Sequence, residues 1–205
     1  MTTSSQTPEM RMFVVAAFLL INTAPAATAQ DAKPASETAW TFDQLAADIS
    51  ALQNPSFKQG QQLYKQTQCA ACHRINGDGN EFGPDLAQLN TQWDRSRILK
   101  HILEPSLEIH KDFQTQIFEL KNGRTMRGLI VAIGPRFIKV IQDPLKSSQT
   151  TRIQLDAIQS RQPSKTSFMP SGLLNFLSRR EIIHLIAYVD SRGNDRHPLY
   201  RNVVK

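Results

Sequence analysis

Apolar side chains recur every three to four residues in four stretches of the chain and nearly every second residue in one block, which predicts helices flanking a set of strands. Phe42, Leu45, Ala46, Ile49 and Leu52 share one helical face behind Thr41 and Gln44, a capping-box spacing, and Asn54-Pro55 ends the run. A second helix from Ser56 carries Phe57, Gly60, Leu63 and Tyr64, with Gly60 small enough to admit another helix. A third opens at Asp94, buries Ile98, Leu99, Ile102 and Leu103, and stops at Pro105. The period then changes. Phe113 to Leu120 alternates imperfectly, Asn122-Gly123 is a hairpin signal, and Arg124 to Ile133 is the answering strand. Gly134-Pro135 turns the chain into further strands at Arg136 to Gln142 and Thr151 to Leu155, with Ala157 to Gln159 extending the sheet. Helix returns at Ser178, where Glu181 completes a capping box, Leu177 and Ile182 form a hydrophobic staple, and Leu185, Ile186 and Val189 continue the apolar face.

Ahead of this pattern, Met12 to Ile21 is an uncharged apolar run preceded by Arg11 and followed by small residues ending in Ala27-Thr28-Ala29, the form of a secretory signal peptide. Such a run is too short for a bilayer, which needs roughly 20 residues, so cleavage after Ala29 and a periplasmic or otherwise exported mature chain from Gln30 are expected in place of a retained anchor. The expected division is 1–29 signal peptide, 30–55 leader and helix, and 56–205 a mainly α domain interrupted by a small antiparallel β insertion at 113–160. At 205 residues, 40% hydrophobic and 20% charged, the chain suits a globular domain and excludes a disordered chain or a membrane bundle. The formal charge of +6 survives removal of residues 1–29, which takes away Glu9 and Arg11 together. A basic surface favours acidic partners, whereas export and the spread of basic residues along the chain speak against nucleic acid.

The candidate chemistry lies in Cys69-Ala70-Ala71-Cys72-His73, which contains the only two cysteines of the chain. Two thiols separated by two residues can add across the two vinyl groups of a haem, and the next histidine then falls under the iron as a ligand. A structural zinc site would need two more ligands at metal-binding spacing, a thioredoxin-like pair would want a βαβ context, and a plain disulfide leaves His73 unexplained. One covalent haem c, held by Cys69 and Cys72 and ligated by His73, is therefore expected. Methionine or histidine would complete the coordination. Met169, in Ser167-Phe168-Met169-Pro170-Ser171-Gly172, is the favoured second ligand because Pro170 holds it extended in a loop able to wrap a haem face. Met126, in the second strand, reads as a packing residue, and His101, His110, His184 and His197 remain as alternatives.

These segments together resemble the cytochrome c-like haem-binding domain family described from planctomycetes and verrucomicrobia. The resemblance runs from about Gly60 to Ser191 and rests on Gly60 to Tyr64, Cys69 to His73, Gly83-Pro84-Asp85-Leu86, Glu104-Pro105-Ser106, Asn122-Gly123-Arg124 with Gly128, Ser167 to Gly172, and Ala187-Tyr188-Val189. It implies a class I cytochrome c-like helical fold in which the helix of Gly60 and Tyr64 crosses the last one near Tyr188. It also implies that the carbonyl of Pro84 accepts a hydrogen bond from His73, fixing the ring. Domains of this type occur attached to exported proteins, often with dehydrogenase-like partners. The expected function is a one-electron carrier or relay with no catalytic role, working with redox partner proteins. The competing readings are a haem enzyme or gas sensor, for which no distal His/Arg pair is evident, and a haem-containing interaction module docking onto an exported dehydrogenase.

Overall fold

A computed structural model describes Met1 and residues 37–201, so the expected signal peptide beyond Met1 and most of the expected leader lie outside the described residues. Among the described residues, four α-helices build one unit: α1 (Phe42–Ala51), α2 (Phe57–Gln66), α3 (Arg95–Leu103) and α4 (Arg179–Asp190). Their ends follow the local chemistry. The Gln44 side chain accepts from the Thr41 backbone N–H at 2.9 Å, Asp94 accepts from Arg97 at 2.8 Å, and Ser178 and Glu181 make a reciprocal capping box. Beyond α1 the chain turns through left-handed Leu52 and Asn54 (φ 36° and 47°), which delivers Pro55 and Ser56 to the start of α2.

The α2–α4 crossing is the centre of this unit. A Cβ on Gly60 would lie 2.3 Å from the His184 carbonyl oxygen and 2.7 Å from the Tyr188 Cβ, so only glycine allows the two backbones this close. Tyr188 packs between Phe57 and Tyr64, with ring centroids 5.3 and 5.5 Å away. Leu45, Ile49, Leu99, Ile182 and Ile186 close the core around that crossing. Burying each such side chain contributes about 1.5–3 kcal/mol, and α4 is buried along most of its length. Among the described residues, no helix is long and apolar enough to cross a membrane.

Between α2 and α3 a short hairpin, β1 (Arg74–Ile75) and β2 (Asp78–Gly79), surrounds the Asn76-Gly77 turn. After α3 come β3 (Gln116–Leu120), β4 (Thr125–Ile133), β5 (Phe137–Ile141), β6 (Thr151–Gln154) and β7 (Ile158–Pro163). They form one antiparallel sheet in the order β6-β5-β4-β3-β7. The sheet owns a separate core of Phe118, Leu120, Met126, Ile138, Val140 and Ile153.

Two expectations need correction. Phe113 belongs to a 3-10 turn, Lys111–Phe113, and the first strand starts at Gln116. Residues 158–163 are a full strand paired along β3, so the sheet has five strands and "mainly α" describes only the helical unit.

Candidate haem-binding site

The segment after α2 winds into a 3-10 turn, Cys69–Ala71, in which the backbone N–H groups of Cys72 and His73 both reach the Cys69 carbonyl, at 3.1 and 2.9 Å. That winding is local, set by left-handed Gln68 (φ 63°) at its start, and it brings both thiols and the imidazole to one cavity. The cysteines are free and not joined to each other. Burial pushes both thiols above their usual pKa, with Asp143 among the charges acting on Cys72 in the same direction.

The His73 Nδ1 lies 2.8 Å from the Pro84 carbonyl oxygen, the contact expected from the resemblance. A carbonyl can only accept, so Nδ1 carries the proton and Nε2 keeps its lone pair. Burial pushes the imidazole pKa down, opposed by the Pro84 carbonyl, and the ring is neutral at pH 7. Pro84 is held in turn: Asp85 accepts from the Ala87 N–H at 2.9 Å and pairs with Arg74 at 3.3 Å, and Arg74 also bonds Glu81.

Three supports of His73 escaped the sequence reading of the site. The Tyr64 hydroxyl donates to the His73 carbonyl at 2.5 Å, a polar partner that a buried tyrosine in place of phenylalanine signals. Gly79, with φ +111°, lies against the same carbonyl. Gly83 lies against the ring, where a Cβ would be 2.7 Å from Cε1 and 2.9 Å from Nδ1. Gly83→Ala should therefore push the imidazole off the Pro84 carbonyl and lower stability by about 1–3 kcal/mol. Denaturant unfolding measures this, and an unchanged midpoint would show that the ring has room to move.

Met169 lines the same cavity as Cys69, Cys72, His73 and Pro84. Its backbone is tied down by Ser167, whose hydroxyl accepts from the Met169 N–H at 3.1 Å while its own N–H donates to Ser106 at 3.0 Å. The Glu104-Pro105-Ser106 exit of α3 thus meets the Met-Pro loop. Met126 lies apart, 7% exposed in the sheet core opposite Phe118 in the register.

Of the histidines, His184 accepts from the Ser56 N–H at 3.0 Å, and His110 and His197 accept from backbone N–H groups two residues on. His101 stacks on Trp93 at 4.4 Å and stands 3.5 Å from Glu108. Both His101 and His110 also line the cavity. The rest of the wall is largely apolar, including Phe82, Leu86, Leu89, Ile98 and Leu185.

The donor set and the wall fit a haem: two free thiols a single turn apart, a neutral imidazole with one nitrogen pinned, a thioether, and an apolar lining for a flat macrocycle. A search among curated proteins finds no match to the chain. The family model for cytochrome c matches residues 57–129, a stretch that includes Cys69 to His73 and Pro84 and stops before Met169. That match supports a cytochrome c-like haem-binding domain with a haem-based electron-transfer role in this chain.

Proposed function

We infer that the chain is an exported one-electron carrier or relay whose haem c is bonded to Cys69 and Cys72 and ligated by His73 and Met169. The observation that carries this reading is the convergence of both thiols, a pinned neutral imidazole and a tethered methionine on one apolar cavity. A haem held there supplies a reversible one-electron couple, and a His/Met ligand pair raises its potential relative to two histidines. Cys69 and Cys72 anchor, His73 presents Nε2, and Pro84 sets the ring's tautomer and orientation. The Met169 loop and the apolar wall keep water from the ligated iron. A sheet placed between α3 and the Met-Pro loop supports the planctomycete and verrucomicrobial type within the cytochrome c-like domains.

A redox titration of the purified protein should follow a single one-electron curve, and the absence of any reversible couple would refute a carrier role. Export rests on the Met12–Ile21 run and the small residues after it. The mature polypeptide should begin at or near Gln30 by intact mass, and a mature chain that retains residues 1–29 would contradict a cleaved signal peptide.

A further inference from the structure

The charge of the chain is unevenly distributed. Residues 116–163, which hold all five strands of the larger sheet, carry eight lysines and arginines against three acidic residues, so +5 of the formal +6 lies there. Part of it gathers on one face. Ile138, Val140 and Ile153 point into the sheet core, so Phe137, Lys139 and Arg152 lie on the opposite face of β5 and β6. Lys139 stands directly across from Arg152 in the register, and both are exposed. Like charges in that position destabilise a strand pair, and among the described residues neither has an acidic partner. The Arg152 guanidinium lies over the Phe137 ring at 3.7 Å, spread on the face.

The strand that carries Phe137 and Lys139 leads on to the cavity wall. Two residues beyond Lys139, Ile141 is fully buried opposite Leu129 in the register. The loop out of β5 then contributes Leu145 to the cavity wall. At about 3.3 Å per residue, Lys139 is at most about 20 Å along the chain from Leu145.

We propose that the exposed face of Phe137, Lys139 and Arg152 docks an acidic surface of the protein that exchanges electrons with this cavity. The proposal rests on the electron-transfer reading above. Carboxylates of the partner relieve the Lys139–Arg152 repulsion. An anionic lipid surface is disfavoured, because residues 116–163 contain no Trp or Tyr, the side chains enriched at membrane interfaces.

The test uses the haem-loaded full chain and an acidic flavodoxin in its hydroquinone form as the reductant. One electron leaves the flavin, which becomes the semiquinone, and reduces iron(III) to iron(II). Lys139→Glu/Arg152→Glu should slow this bimolecular step about tenfold at low ionic strength, with the difference disappearing at high salt. Lys58→Glu/Arg196→Glu changes the net charge equally on the helical unit and should slow it far less. Single Lys139→Glu should slow the step while raising the thermal midpoint, because it turns a repulsive cross-strand pair into an attractive one. That combination separates docking from damage to the fold. Equal slowing by both double variants, or none by the sheet variant, would overturn the proposal. So would loss of binding to phosphatidylglycerol vesicles with an unchanged flavodoxin rate, which would assign the face to lipid. Reduction by neutral hydroquinone should be the same in all variants; its failure in every one would overturn the electron-transfer reading, and the docking proposal with it.

Discussion

Replacing Cys69 and Cys72 together with alanine should abolish covalent haem entirely, leaving a denaturing gel of the purified protein with no haem-stained band. Both thiols sit within a single turn on the wall of the cavity, and the chain contains no other cysteine. No second route to a thioether exists. Wild-type protein should keep its haem through denaturation, because covalent bonds do not depend on the fold. A stained band that persisted in the double variant would place the attachment elsewhere. The double variant should also be less stable, since the wall formed by Phe82, Leu86 and Ile98 would lose the group it encloses.

Met169→Ala should leave haem attached and change its electronics. Ser167 and Pro170 hold the loop by backbone contacts that alanine preserves, so the expected loss is the thioether alone. A soft sulfur ligand favours the reduced iron, and its removal should lower the potential on the order of 0.2 V, within the roughly 0.8 V range that axial ligands set. Carbon monoxide should then bind the reduced protein readily. The matched control is Met126→Ala, which truncates a buried side chain opposite Phe118 and should cost about 2–5 kcal/mol of stability while leaving potential and spectrum unchanged. An altered spectrum in Met126→Ala, with none in Met169→Ala, would reverse the ligand assignment.

The parts legible in the sequence were those fixed by neighbours in the chain. The caps at Gln44, Asp94 and Ser178 and the winding of Cys69 to His73 each depend on a few consecutive residues. β7 was underestimated for a physical reason: only Ile158 of its six residues is a large apolar side chain, and the strand is held by backbone pairing to β3 at an edge of the sheet. Phe113 misled because a single aromatic next to an alternating run carries no period, and His110 caps a turn there instead. Gly83 and Gly79 carry no signal in the sequence of a contact with His73, and their closeness to it appears only when β1 and β2 fold the chain back. The meeting of Ser106 with Ser167 joins segments separated by the whole sheet, so no local pattern announces it.

Ligation of the haem iron by His73 and Met169 is tested most directly by the near-infrared spectrum of the oxidised wild-type protein. A weak sulfur-to-iron charge-transfer band, absent from Met169→Ala and present in Met126→Ala, is the predicted result. A bis-histidine or high-spin spectrum in the wild-type protein would contradict it.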